Sequence, residues 1–239
     1  MERFFEALFA RDPSGRSWLP ALLAAAPHGR GALGELVDEP GWIEIPLAVR
    51  GASGRLACLD YRVAPARELL AWYVDHPAEL TWPVDTRPSP AVERLRRALI
   101  EDDPAGARAR AQDRAHELIK TASPFTADWW RFEPSAALDC VLLTDRLALT
   151  IEGDAGSPAS DWYPGRTQLV RDLEAAKHLA TGRRFATLVL SDEPRPDAID
   201  EQLEVGAPHV SEAERDELRA GYLGDLTWAQ ARAAVGLGD

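Results

Sequence analysis

Apolar positions along the chain follow two different periods, and the switches between them mark out its elements. Phe4, Phe5, Leu8 and Phe9 fall on one helical face, and Trp18 to Ala26 forms a second short apolar segment, so residues 1 to about 36 read as helical. Trp42–Arg50 and Arg55–Val63 flank Gly51-Ala-Ser-Gly54, whose residues tolerate positive φ, and read as a hairpin. A helix over Arg67–Asp75 follows. Pro77, Pro83, Pro88 and Pro90 then stiffen the chain and set a boundary between an N-terminal extension, residues 1–88, and a core, residues 89–239.

Beyond that boundary the periods are clearer. Ser89 reads as an N-cap with Pro90 at the first helical position, and Val92, Leu95, Leu99 and Ile100 repeat at helical spacing behind it. A second helix over Ala107–Lys120 turns Ala111, Ala115, Leu118 and Ile119 inward. Leu138–Leu143 and Leu147–Glu152 are apolar runs so close together that they must form an antiparallel hairpin. A helix from about Gly165 to Ala180 carries Leu169, Leu173, Ala176 and Ala180 on one face, Phe185–Leu190 reads as a strand, and the chain from Ala198 onward reads as helical. The order predicts an α/β fold with a mixed central sheet flanked by helices.

Composition narrows the classes. A chain of 239 residues, 46% hydrophobic, is long enough to bury a proper core. It has no run of about eighteen apolar residues, and Met1-Glu-Arg-Phe-Phe-Glu6 lacks the pattern of a secretory signal, so the expectation is a cytoplasmic protein without a membrane span. Cys58 and Cys140 lie far apart in apolar segments and read as two core thiols. The five histidines show no metal-ligand spacing, which leaves zinc without support. A net charge of -12 argues against general attraction to nucleic acid, although a local patch can override it. Arg94, Arg96, Arg97, Arg108, Arg110 and Arg114 are the most basic stretch, but interleaved acids make them a solvated helix face. Trp129-Trp130-Arg131-Phe132 carries groups that stack bases, and core packing accounts for them more simply. Gly29-Arg-Gly-Ala-Leu-Gly34 satisfies the dinucleotide-binding spacing without a strand before it and reads as a flexible connection.

The hairpin is where chemistry can sit. With either a two-residue loop, Asp145-Arg146, or the preferred four-residue loop, Thr144–Leu147, Asp139 lies opposite Glu152. Opposed residues share a face with Cβ atoms about 4.5–5.5 Å apart, within reach of one cation. A three-residue loop would turn Asp139 to the other face. Asp154 stands two residues beyond Glu152, and such an acidic group at a strand end suits a hard, oxygen-seeking ion such as Mg²⁺, with Mn²⁺ as its substitute.

Leu138-Asp-Cys-Val141, Ile151-Glu-Gly-Asp154 and Trp162-Tyr-Pro-Gly-Arg-Thr-Gln-Leu-Val-Arg-Asp-Leu-Glu174 together resemble the core of the PD-(D/E)XK, or restriction-endonuclease-like, nuclease superfamily, over about residues 105–192. The resemblance implies a restriction-endonuclease-like core with an N-terminal helical and hairpin extension. It further implies Mg²⁺ held by Asp139 and Glu152, a helical glutamine at Gln168, and hydrolysis of nucleic acid phosphodiesters. Asp154 occupies the place of the family's lysine, which would orient the attacking water and offset charge. Either another cation replaces it, with Lys120, Lys177, Arg166 and Arg171 at hand, or the fold has lost hydrolysis and serves as a non-catalytic scaffold or interaction protein.

Overall fold

The computed structural model describes residues 2–38, 47–48, 61–84, 88–123, 125–126, 128–153, 156–193 and 195–237. Along the chain come α1 (Glu2–Arg11), α2 (Leu19–Ala25), α3 (Gly29–Asp38), β1 (Leu47–Ala48), β2 (Tyr61–Val63), α4 (Arg67–Asp75), α5 (Pro90–Ile100), α6 (Arg108–Thr121) and β3 (Ala136–Leu138). They are followed by β4 (Cys140–Leu143), β5 (Leu147–Glu152), α7 (Gln168–Ala180), β6 (Arg184–Ser191), α8 (Ile199–Gly206), α9 (Glu212–Gly221), β7 (Tyr222–Thr227) and α10 (Trp228–Ala234). The fold is mixed α/β. Five strands in the order β1-β4-β5-β6-β7 form the main sheet, and β2 pairs with β3 in a small second one.

The expected hairpin has the expected register. Cys140 opposes Ile151 and Leu143 opposes Ala148 in the antiparallel β4–β5 pair. The last ladder pair, Leu143–Ala148, leaves the four-residue loop Thr144–Leu147 preferred from sequence, and inside it Thr144 N–H donates to the Leu147 carbonyl at 2.8 Å while Thr144 Oγ1 accepts from Leu147 N–H. β5 then pairs in parallel with β6, and β6 with β7. Strand alternation sends Leu147, Leu149 and Ile151 to one face of the sheet, where they join Phe5, Leu8, Leu22 and Leu23 of the N-terminal helices in one core. Ala148, Thr150 and Glu152 therefore point to the opposite face. Here Val189 of β6 packs with Leu169, Val170 and Leu173 of α7, and Thr150 and Thr187 share a hydrogen bond at 2.8 Å.

α4 and the Ser89-capped α5 lie where sequence places them, and Ser89 Oγ accepts from Val92 N–H at 3.4 Å. Three expectations need correcting. The glycine-rich Gly29–Gly34 stretch begins helix α3 rather than a flexible connection. The region after Ala198 is not wholly helical, because Tyr222–Thr227 forms β7, with Gly224 at φ 93 and its Cα facing Pro27 so closely that a Cβ would approach within 2.9 Å. The described ends of the proposed 42–63 hairpin pair elsewhere, Leu47–Ala48 with β4 and Tyr61–Val63 with β3, while its turn lies outside the described residues. Cys140 is buried in the core, and Cys58 is outside the described residues. Among the described residues no helix is long and apolar enough to cross a membrane.

Candidate functional site

Asp139 stands at the bend between β3 and β4, the point where one extended segment leaves the small sheet and enters the large one. Its backbone N–H is freed from the ladder there and donates to Glu152 Oε1 at 3.2 Å. In return, Asp139 Oδ2 accepts from Gly153 N–H at 3.0 Å, just past the end of β5. The two acids predicted to converge are thus latched together at the strand ends. Glu152 is 2% exposed and Asp139 only half-buried, so the pair has one dry and one wetter member.

A third carboxylate joins them from α7. Asp172 sits on the buried face of that helix beside Leu169 and Leu173, fully buried, and neither of its oxygens accepts a hydrogen bond. Burial raises the Glu152 carboxyl far above the usual carboxylate range, and the Asp172 and Asp139 charges push it further. Asp172 is also raised, chiefly by burial, with Arg171 opposing the shift. Leaving a charged carboxylate unpaired here would cost several kcal/mol, so the cluster holds protons or takes up a cation. Among the described residues no three His, Cys, Asp or Glu side chains are placed to hold a metal ion together, and Asp154 lies outside the described residues.

The structure separates the four candidate cations. Lys120 is exposed at the end of α6, and Lys177 pairs with Glu217 at 2.6 Å. Arg166 is committed elsewhere. Its guanidinium is wholly buried, donating to Glu133 Oε2 at 2.7 Å, to Glu174 Oε2 at 2.7 Å and to the Gly206 carbonyl at 2.7 Å. Burial opposes its charge, but Glu133 and Glu174 more than offset that and its pKa is raised. Tyr73 donates to the same Glu133, and burial lowers the pKa of His209 beside Glu174. Arg171 is the cation that reaches the acidic cluster: its Nε lies 3.6 Å from Asp172 Oδ1, and its NH2 group donates to Gln168 Oε1 at 2.7 Å. Gln168 begins α7 one turn before Asp172, and through Arg171 it is tied to the acids without touching them directly in any recorded hydrogen bond.

Asp172 is the residue that sequence reasoning missed. Its signal was available, since an aspartate four residues after Gln168 sits on the same face as Leu169 and Leu173, where a charge is costly without a purpose. Other expected groups lie apart from the site. Trp129, Trp130 and Phe132 are core residues. In the basic stretch, Arg97 pairs with Glu93 and Glu101, whereas Arg96 is buried against the Trp162 ring, 4.3 Å from its centroid. Comparison of the chain with family models, with curated proteins and with solved structures gives no match.

Proposed function

We propose that the chain is a PD-(D/E)XK-type, divalent-cation-dependent phosphodiester hydrolase whose site is built on Asp139 and Glu152. The observation that carries this reading is the latch between Asp139 and Glu152 beside the buried Asp172 carboxylate, whose oxygens accept no hydrogen bond and whose one ion-pair partner among the described residues is Arg171. A helix, an antiparallel strand pair, a helix and a parallel strand succeed one another around it, which is consistent with a restriction-endonuclease-like core. Mg²⁺ commonly binds through one or two carboxylates and keeps several waters, so Asp139 and Glu152 suffice as protein ligands without a third. When bound, the ion would supply an acidified water and polarise a phosphoryl oxygen. Arg171 takes over the charge-offsetting task of the missing lysine, held in place by Gln168. The test is incubation with DNA and RNA in Mn²⁺, where cleavage lost in Glu152→Gln supports the reading and absence of Glu152-dependent cleavage on varied substrates removes it.

A second reading is a non-catalytic scaffold or interaction protein that keeps this architecture. It is favoured by the raised pKa values of Glu152 and Asp172, which let both acids stay protonated and neutral with no cation. The two readings part at alkaline pH, where deprotonated acids need a counter-ion and a protonated structural pair does not gain one.

A further inference from the structure

We infer that the cavity between the N-terminus of α4 and α7 binds the phosphate of a nucleotide, with Phe125 at its rim as the surface on which the base stacks. The inference rests on the hydrolase reading for its relevance, since it names where that substrate's phosphate would sit. The cavity has a volume of about 420 Å³, enough for one nucleotide, and it adjoins the acidic cluster through Arg171.

Charge is the first argument. In a chain of net charge -12, this cavity is lined by Arg62, Arg67, Arg166 and Arg171 against Glu68, Glu133 and Glu174. Arg166 is consumed by Glu133 and Glu174, whereas Arg62 from β2, Arg67 from the first turn of α4, which spends one donor on the Ile119 carbonyl, and Arg171 from α7, which also meets Asp172 and Gln168, bring their remaining donors to the cavity beside Glu68. Three guanidinium groups brought together from three elements form an anion site, because each can present a fork of donors to phosphate oxygens.

The backbone adds to it. Val63 to Glu68 line the cavity, and the N-cap of the nine-residue α4 is Ala66, which offers no side-chain cap, so the first N–H groups and the positive end of the helix dipole meet the cavity. Glu133 braces the cavity wall. This side chain is fully buried in the cavity wall, and while its Oε2 accepts from Tyr73 and Arg166, its Oε1 has no hydrogen-bond partner. A nucleotide supplies phosphate oxygens for the remaining donors of the cavity's arginines.

Phe125 completes the match. It is 57% exposed, one of few large apolar side chains left in solvent among the described residues, and it borders both this cavity and the adjacent groove lined by Arg62, Arg131 and Asp161. An aromatic ring held beside a phosphate site is a stacking platform for any base.

Calorimetric titration of the full chain in chelator, with inorganic phosphate, adenosine monophosphate and a short oligodeoxythymidylate as probes, tests this directly. We expect saturable binding of the nucleotide, competed by phosphate. Arg62→Gln should weaken both by about fivefold, and Phe125→Ala should weaken the nucleotide by about tenfold while leaving phosphate unchanged. Both residues are exposed, so neither variant threatens the fold. Competition by the oligonucleotide identifies a nucleic acid strand as the source of the phosphate, and its absence identifies the free nucleotide. No saturable nucleotide binding at millimolar concentration, or binding unaltered in Arg62→Gln, overturns the inference. Asp139→Ala removes the proposed cation site without touching the cavity, so persistence of phosphate binding in that variant separates failure of the hydrolase reading from failure of this one.

Discussion

Asp139 and Glu152 exchange hydrogen bonds across the end of a β-pair: the backbone of the first donates to the carboxylate of the second at 3.2 Å, and the carboxylate of the first accepts from the residue after the second at 3.0 Å. Each acid is thereby fixed by backbone rather than by a mobile partner. The arrangement survives loss of either charge better than loss of either oxygen, and so amide variants are the informative ones.

Stability of the metal-free protein should fall as pH rises. Glu152 and Asp172 have folded-state pKa values above their unfolded ones, so their contribution is fully present below the ordinary carboxylate range and is lost as pH climbs through the raised values. Each proton that the folded state keeps and the unfolded state would release costs up to about 1.4 kcal/mol per pH unit between the ordinary and the raised pKa. Urea unfolding in chelator at about pH 5.5 and about pH 8.5 should therefore show lower stability at the higher value, and Glu152→Gln should flatten the slope. An unchanged slope in that variant would show that Glu152 is not the titrating group.

Replacing Arg166 with methionine should destabilise the protein severely. It leaves Glu133 buried and Glu174 nearly so, without their shared cation, and removal of one partner from a buried ion pair costs about 3–5 kcal/mol. The midpoint of urea unfolding measures it. A loss under about 1 kcal/mol would mean that the two glutamates take up protons at little cost.

Arg171→Gln should split binding from turnover. Removing the positive charge beside Asp172 makes the cluster more negative, so Mn²⁺ binding by calorimetry should be unchanged or tighter, whereas Mn²⁺-dependent cleavage should drop by about 10²-fold, as for loss of a charge-stabilising donor. Equal loss of binding and cleavage would assign Arg171 a structural role instead.

Much of the arrangement was legible in the chain because strand pairing is arithmetic. Once the loop after Leu143 is even-numbered, Asp139 must oppose Glu152, and Thr144 secures that register by capping Leu147 with its own hydroxyl. Helices α4 and α5 were equally readable from their periodicity and, for α5, its Ser-Pro start. What stayed hidden was long-range or backbone-driven. The strand β7 contains Leu223 and Leu226 in a context rich in helix formers, and it exists because Gly224 takes a positive φ and β6 supplies an edge. Asp172 was visible as a residue but not as a member of the site, since its depth depends on α7 lying across β5. The choice of Arg171 over Arg166 depended on Glu133, a residue 33 positions away in sequence that claims Arg166 for itself.

The measurement that bears most directly on the central claim is thermal unfolding at about pH 8 with and without Mn²⁺, for the wild-type chain and Asp139→Ala. At about a hundredfold excess over its dissociation constant, a ligand of the folded state adds about 2.7 kcal/mol, which for a chain of this size raises Tm by roughly 5–10 °C. The account predicts that rise in the wild type, a smaller one near pH 5.5 where protons compete for Glu152 and Asp172, and none in Asp139→Ala. A wild type indifferent to Mn²⁺ at pH 8, or an equal rise in Asp139→Ala, would contradict it.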